Sequence, residues 1–322
     1  CMRKPIIDGF LRFFHALIIG IVWYIRNKRR KKCILMVSAS LEITLASIIL
    51  GKMLRVKTIH IIFDTAFAGV KTRRMIDKYI LTCFRIDESL YKYASGFIAL
   101  NKNVFNYLSL SNKPCLLSRI GHNLKEKKNI KDYKRLNNND IKTIVYTGSL
   151  IDYDGTAELL EAMTLLSPNK YQLYLYGYGP MKKLAEEYSQ KYDNIIFKGF
   201  VDNSKMMSIM SKADLLINPR KKNKYTDIFG FPSKIIEYLL SGTPVLTTRF
   251  AAMPKEYESF VYIIEDESPY GIAKSIENVF QCKKQEISDK VAKAYNYIYE
   301  HNKYSQIVTE IIDFIEEEIS RC

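Results

Sequence analysis

Apolar residues along this chain follow two alternating periods. Short runs rich in β-branched residues are followed by longer stretches in which apolar residues recur every three or four positions. Such alternation is typical of βαβ units, in which helices join parallel strands. In the first part of the chain the pattern predicts strands at 33–37, 58–63 and 96–100, with helices at 41–54 and 71–93.

A polar segment interrupts the pattern and indicates a domain boundary. Residues 124–140 read LKEKKNIKDYKRLNNND, a composition typical of an exposed linker. The alternation then restarts, with strands predicted at 141–146, 172–176, 194–197, 214–218, 244–247 and 261–264. We therefore predict an α/β fold with two doubly wound parallel-sheet domains, at 1–123 and 141–302, and a C-terminal helix at 303–322 that can pack back on the first domain.

The first apolar stretch, residues 10–25, has two interpretations. Arg12 and His15 interrupt it and leave only 16–25 unbroken, which is shorter than the about twenty residues that a membrane-spanning helix needs. Six of the seven residues at 26–32 are basic, and no small-residue cleavage site follows. The favoured interpretation is a buried helix with a solvated basic end. The alternative is a helix that lies on an anionic membrane surface.

Composition and charge narrow the classes of function. With 48% apolar and 26% charged residues among 322, the chain is not disordered. Its six cysteines lie singly, without a C-x-x-C pair, which fits a reducing cytoplasm. Lys and Arg exceed Asp and Glu by 49 − 34 = 15. A surface of this charge attracts polyanions, whether nucleic acid, anionic lipid or a phosphorylated small molecule.

The segment at 214–248 has the features of an anion site. A predicted strand ends near Arg220, a polar loop follows, and a helix begins at Pro232, which suits a first helical turn. Ligands of open α/β sheets bind at the carboxyl ends of strands. The apolar residues of this helix share one face, and its polar residues lie opposite at spacings of three and four. These are Ser233, Lys234, Glu237 and Ser241.

The N-terminus of this predicted helix is suited to bind phosphate oxygens. Lys234 in the first turn opposes the helix dipole, and a docked anion would reverse that unfavourable interaction. Backbone N–H groups of Gly230 and Phe231, with the cation of Lys234 or Arg220, could hold a phosphate. Glu237, one turn further on, could accept hydrogen bonds from ribose hydroxyls. The alternative is a solvated helix face without a ligand.

Several short motifs in this region recur in a fixed order. They are N-P-R at 218–220, F-P-S-K at 231–234, E-Y-L at 237–239, S-G at 241–242 and P-V-L at 244–246, preceded by Y-T-G-S-L at 146–150, Y-G-Y-G-P at 176–180 and K-G-F at 198–200. In these motifs residues 141–265 resemble the retaining, family-four-like glycosyltransferases of the GT-B fold, in particular a bacterial variety with N-P-R and F-P-S-K-x-x-E-Y.

The resemblance implies two Rossmann-like domains that face each other across a cleft, with the first domain incomplete because the chain begins near what resembles a middle strand. It implies transfer of a hexosyl group from a nucleotide diphosphate sugar to a saccharide or lipid-linked acceptor, in cell-surface polysaccharide synthesis. The expected location is the cytoplasm or the inner face of a bacterial plasma membrane. Neither a metal nor a cofactor is expected, because the helix dipole and basic side chains neutralise the leaving diphosphate. No nucleic-acid partner is expected.

By the same resemblance, Arg220 and Lys234 are catalytic, since they carry the charge of the diphosphate. Asp64, after the strand at 58–63, could orient an acceptor hydroxyl or serve as a turn residue. Asp154 is interpreted as a helix cap rather than as part of a D-x-D metal site. The donor nucleotide is expected to contact Gly148, Ser149, Gly177, Arg220, Gly230, Phe231, Ser233, Lys234 and Glu237.

Two departures from the family pattern keep other functions open. Phe229 stands where the family has the first of two glutamates, and Ser149 and Asp154 stand where many relatives have Arg and Lys. A catalytically impaired partner subunit of the same fold is one alternative. A basic nucleic-acid-binding protein is another, although no recognised nucleic-acid module appears in the sequence.

Overall fold

The chain divides into two α/β units, each built on its own parallel sheet. The computed structural model describes residues 3–27, 32–37, 40–62, 75–124, 126–127, 141–222 and 232–321. One unit contains the described residues of 1–119 together with 304–321, and the other contains those of 120–222 and 232–303. Most of the predicted linker lies outside the described residues.

The first unit has a four-stranded parallel sheet in the order β1-β2-β3-β4. Along β2 the side chains alternate between the two faces of the sheet, so Ile59 and Ile61 join one apolar cluster and Ile62 joins another. Its elements are α1 (Arg3–Arg26), β1 (Cys33–Val37), α2 (Leu41–Leu54), β2 (Lys57–Ile62), α3 (Met75–Leu90), β3 (Gly96–Ala99), α4 (Lys102–Tyr107) and β4 (Cys115–Leu117).

The helix at the C-terminal end of the chain belongs to this unit. It spans Tyr304–Ser320 and is called α12 here. Phe314 packs with Ile59 and Ile98 on one face of the sheet, beside Ile311 and Ile315. The Phe314 ring lies close to the backbone of β3, because a Cβ atom at Gly96 would lie 3.4 Å from its Cζ atom.

Helix α1 differs from its favoured interpretation as a buried helix. One face contacts α2, where Gly20 lies close to Leu50 and Arg12 pairs with Glu42 at 3.3 Å. The opposite side is open, and Leu11 and Ile18 are 63% and 61% exposed. By length and composition alone, Asp8–Arg26 could also cross a membrane. The prediction was wrong because an apolar sequence shows that a helix avoids water but not what covers it.

The second unit has a six-stranded parallel sheet in the order β10-β9-β8-β5-β6-β7. Alternate residues of its central strands, such as Ile144, Leu173 and Leu215, form an apolar cluster on one face of the sheet with side chains of the helices that cover that face. The elements up to β8 are β5 (Lys142–Ser149), α5 (Thr156–Leu165), β6 (Tyr171–Tyr178), α6 (Lys182–Lys191), β7 (Ile195–Gly199), α7 (Asn203–Met210) and β8 (Leu215–Asn218). They are followed by α8 (Lys234–Ser241), β9 (Val245–Thr248), α9 (Lys255–Glu258), β10 (Tyr262–Ile264), α10 (Pro269–Gln281) and α11 (Lys284–His301).

Strand order reverses between β5 and β8. From β5 the chain proceeds outward to β6 and β7 and then returns to β8 on the other side of β5. Ligands of open α/β sheets bind beside the carboxyl ends of strands at such a switch point. The predicted parallel sheets are confirmed, and β5 extends past its predicted end, to Ser149. That extension places Gly148 and Ser149 at the switch point.

Candidate functional site

Lys234 occupies the centre of the candidate site at the carboxyl end of β5. It is the first residue of α8, and its side chain is 16% exposed. The Nζ atom lies 3.6 Å from Oδ2 of Asp154, 3.4 Å from the hydroxyl oxygen of Tyr146 and 4.6 Å from the centroid of that ring. The ammonium group is therefore held between one carboxylate and one aromatic side chain.

The charges around Lys234 change its pKa in opposite directions. Burial lowers the pKa of Lys234 from 10.5, and the nearby charge of Arg220 lowers it further. The carboxylates of Asp154 and Glu237 raise this pKa but do not offset burial. The charge of Arg220 thus disfavours the protonated form of Lys234, and a bound anion would oppose that effect.

Asp154 has a different role from the predicted helix cap. It lies in a short 3₁₀ turn at Asp152–Asp154, and Gly155 rather than Asp154 is the N-cap residue of α5. The Asp154 side chain is buried and pairs with Lys234. The cap prediction was wrong because the left-handed backbone of Gly155 begins the helix one residue later.

The two glycines at the strand ends provide the space for this arrangement. Gly148 on β5 pairs with Gly177 on β6, and both have positive φ angles, of 137° and 147°. A Cβ atom at Gly148 would lie 3.0 Å from Nζ of Lys234, and one at Gly177 would lie 1.8 Å from the carbonyl oxygen of Gly148. Gly148 therefore borders the lysine directly, whereas Gly177 allows the two strands to approach.

Arg220 lies two residues past the end of β8 and has a buried donor. Its guanidinium lies 5.6 Å from the ring centroid of Tyr153, and its backbone carbonyl accepts a hydrogen bond from the hydroxyl of Thr248. The Nε atom is buried and has no hydrogen-bond acceptor among the residues that the structure describes. A buried guanidinium donor is costly to leave unpaired, so a ligand acceptor would stabilise it.

Glu237 lies one turn along α8 from Lys234, on its exposed side. Partial burial of the carboxyl raises the pKa of Glu237, and the charge of Lys234 opposes that shift. Ser233, just before α8, and Ser149, at the end of β5, are also exposed. Open polar groups thus lie on the two elements that meet at Lys234.

Ser241 does not join this polar face, contrary to the prediction. Its side chain is buried, and its hydroxyl donates to the backbone carbonyl of Tyr238 at 2.6 Å and accepts from the N–H of Thr243. In the last helical turn a serine hydroxyl readily bonds to the backbone of its own helix. Ser241 therefore closes the end of α8.

The sequence interpretation missed two tyrosines that shape the site. Tyr238 is fully buried, and its hydroxyl accepts the backbone N–H of Thr147 at 2.9 Å, which fixes α8 against β5. Burial raises the pKa of Tyr238 to about 12. Tyr146 donates its hydroxyl to the carbonyl of Ser149 at 2.7 Å. The E-Y-L and Y-T-G-S-L motifs contain both residues, so the motifs themselves were the available signal.

Three predicted site residues lie outside the described residues, namely Asp64, Gly230 and Phe231. The D-x-D carboxylates have lysine partners: Asp152 pairs with Lys221 at 3.1 Å, and Asp154 pairs with Lys234. Among the described residues, no three His, Cys, Asp or Glu side chains come together as metal ligands. The predicted independence of metal and cofactor stays a prediction.

Comparison with known proteins finds a similar family for the part of the chain that contains the candidate site. Residues 141–282 match the family model described as glycosyl transferases group 1. The match contains the whole candidate site but less than half of the 322 residues. No curated protein matches the chain.

Solved structures resemble the chain over most of its length. HepE of Anabaena in complex with UDP is 13% identical over 88% of this chain and 79% of its own, with a TM-score of 0.68. Sucrose-phosphate synthase of Thermosynechococcus elongatus is 15% identical over 96% and 79%, with a TM-score of 0.70. A glycosyltransferase of Rickettsia africae is 13% identical over 97% and 83%, with a TM-score of 0.68. At these identities the likeness shows the fold, which is that of the GT-B glycosyltransferases.

Proposed function

We propose that the protein is a glycosyltransferase that uses a nucleotide diphosphate sugar as donor. The observation that carries the proposal is the pair of cations at the switch point, one on each side of the strand-order reversal. Among the described residues, the largely buried Lys234 has one close carboxylate, and Arg220 has a buried donor without an acceptor. Both lie within the stretch that matches the glycosyl transferases group 1 model.

The hydrogen-bonding capacity of the two cations supports a diphosphate ligand. A lysine ammonium has three N–H donors, and Asp154 and Tyr146 are the two partners nearest to it in the structure. A third donor is thus without a partner among the described residues and could bind a phosphate oxygen. The Nε–H of Arg220 provides another. Two charge-assisted donors from two different elements suit the several oxygens of a diphosphate.

The same groups provide the chemistry that sugar transfer needs. When the bond between the sugar and the diphosphate breaks, negative charge develops on the leaving phosphate oxygen. Cations that are already in place stabilise that charge in the transition state without reorganisation. Lys234 and Arg220 would serve this purpose without a metal ion, and Glu237 would accept hydrogen bonds from the ribose hydroxyls. Retention of configuration and a saccharide or lipid-linked acceptor rest on the motif likeness.

The names of the similar structures are consistent with such a donor. HepE of Anabaena was crystallised with UDP and with UDP-glucose. We therefore include UDP first among the nucleotides to be tested, with GDP and ADP beside it. Cell-surface polysaccharide synthesis at the inner face of a bacterial membrane is the setting that we propose.

Calorimetry with variants of the two cations tests this proposal. Lys234→Ala and Arg220→Ala should each weaken nucleoside diphosphate binding by roughly 1.5 to 3 kcal/mol, the range for hydrogen bonds to charged groups. That loss is about 10- to 150-fold in affinity. Lys212→Ala removes an exposed lysine of the same unit and should bind normally. Unchanged affinity in both site variants would contradict the proposal, and equal binding with EDTA and with added Mg²⁺ would support metal independence.

A catalytically impaired partner subunit is the second candidate. The observation in its favour is Phe229, which occupies the position of the family's first glutamate. Such a subunit would bind the nucleotide but release no sugar from any nucleotide sugar. Slow donor hydrolysis by the purified chain, followed as free sugar, would exclude this candidate. If the chain binds the nucleotide tightly but shows no donor hydrolysis at all, the result would favour the partner subunit.

A further inference from the structure

Helix α1 of the first unit exposes an apolar stripe along its outer side. Leu11, Phe14, Ile18, Val22 and Ile25 recur at spacings of three and four residues, and all are exposed. On a helix this spacing places them on one face. Soluble monomers rarely expose apolar patches of more than a few hundred Å². A continuous stripe of exposed apolar side chains on one helix face is typical of a surface that binds another protein or a membrane.

The inner side of α1 determines how the helix can be oriented on a partner. Gly20 lies so close to α2 that a Cβ atom there would be 2.4 Å from Cδ1 of Leu50. Arg12 pairs with Glu42 of α2 at 3.3 Å. A helix held along its length against α2 cannot be surrounded by lipid on all sides. It can instead lie flat on a surface, with the stripe directed outward.

Charge at the end of α1 indicates the chemistry of that surface. The seven residues 26–32 contain six Lys or Arg residues. Lys32 Nζ lies 4.4 Å from the ring centroid of Tyr24, so the last basic residue of this segment remains beside the helix. Trp23 and Tyr24 stand just before the basic run, and such aromatic residues are enriched where apolar and polar layers meet. Two copies of this chain would bring like charges together, whereas an anionic bilayer offers the opposite charge.

We propose that α1 is a docking surface for an anionic lipid bilayer. The helix lies parallel to the membrane plane with its apolar stripe among the upper acyl chains, while Arg26 and Lys32 contact anionic headgroups. This inference is independent of the proposed sugar transfer, because it concerns residues of the first unit and none of the cation site.

A single native fluorophore makes the proposal directly testable. Trp23 is the only tryptophan of the chain and is 40% exposed on α1. We expect its emission to shift to shorter wavelength, and brominated acyl chains to quench it, when the full chain is titrated with vesicles of phosphatidylcholine containing about one third phosphatidylglycerol. Vesicles of phosphatidylcholine alone should have a much weaker effect. Unchanged Trp23 emission with the anionic vesicles would overturn the proposal.

Two variants separate the stripe from unspecific adhesion of a basic protein. Ile18→Glu combined with Val22→Glu places charges in the middle of the stripe and should reduce vesicle binding in flotation by about tenfold or more. Leu165→Glu, at a residue that is 59% exposed on α5 of the other unit, should leave binding unchanged. Equal binding by the double variant would overturn the proposal. The proposal would also be overturned if light scattering shows a stable dimer of the natural protein, and if the double variant is a monomer that still binds vesicles normally. An unchanged circular dichroism spectrum and melting temperature of both variants serve as the check of folding.

Discussion

At the scale of single residues, Asp154 determines how readily Lys234 keeps its proton. Burial lowers the pKa of Lys234 from 10.5, and the Asp154 carboxylate opposes that shift. Asp154→Asn removes the opposing charge, so the pKa of Lys234 falls further. Because only the protonated amine holds a diphosphate as a cation, nucleotide affinity declines as the pH rises through this pKa. We expect the decline to begin at lower pH in the variant than in the natural protein.

Calorimetry from neutral to alkaline pH measures this shift. Asp152→Asn is the matched control, because Asp152 lies in the same 3₁₀ turn but is exposed and pairs with Lys221 instead. Its profile should coincide with that of the natural protein. Coincident profiles for Asp154→Asn as well would show that Asp154 does not act through Lys234.

Gly148 is a second residue at which a small substitution should affect nucleotide binding. Gly148→Ala introduces a Cβ atom 3.0 Å from Nζ of Lys234 at a φ of 137°. Gly199→Ala is the control, since Gly199 also has a positive φ but nothing within 4 Å of its missing Cβ atom. Both substitutions should lower the free energy of unfolding by about 1 to 2 kcal/mol through backbone strain. Only Gly148→Ala should also weaken nucleotide binding, and equal affinity of the two variants would contradict this account of the glycine.

The sequence was informative about the cations but not about their partners. Arg220 stands near a predicted strand end and Lys234 at a predicted helix start, and their candidacy followed from these positions together with the family resemblance of the motifs around them. The contact between Lys234 and Asp154 joins residues 80 positions apart. It depends on how a 3₁₀ turn and a helix start meet in space, which no local pattern contains. The prediction that Ser241 lies on the polar face of α8 was wrong for a related reason. Helical spacing does not show that a side chain forms hydrogen bonds with the backbone of its own helix.

At the scale of elements, α12 supplies part of the core of the first unit. Phe314→Ala removes a ring that packs against Ile59 and Ile98 and should lower the free energy of unfolding by roughly 2 to 4 kcal/mol. Val308→Ala, on an exposed face of the same helix, should change it by less than about 0.5 kcal/mol. Thermal and denaturant unfolding measure both. Equal stabilities of the two variants would contradict the packing.

The strands were the most predictable elements, and α1 was the least. Buried parallel strands read as short apolar runs whose carboxyl ends carry polar residues, and each predicted run agrees with an observed strand to within a few residues. For α1 the length and apolar character could be read from the sequence. Its exposure could not, because exposure depends on which faces the neighbouring helices leave uncovered.

At the scale of the whole molecule, the net charge of +15 allows a test of the nucleic-acid alternative. Binding to duplex DNA through charge alone should fall by orders of magnitude between low and moderate salt, since several phosphate contacts are screened together. Nucleoside diphosphate binding should fall much less, because base and ribose contacts persist. Fluorescence anisotropy with DNA and calorimetry with nucleotide, each over a salt series, provide the comparison. Salt-resistant, sequence-dependent DNA binding without nucleotide binding would reverse the assignment.

The central claim is that Lys234 and Arg220 together hold the diphosphate of the donor. The most direct measurement is the difference in binding free energy between a nucleoside diphosphate and its parent nucleoside, for the natural protein and for the double variant Lys234→Ala, Arg220→Ala. We predict that the diphosphate binds the natural protein more tightly by roughly 3 to 6 kcal/mol, as two charge-assisted hydrogen bonds would provide. The double variant should lose most of this difference, while its affinity for the nucleoside is unchanged. A double variant that retains the full difference would contradict the account.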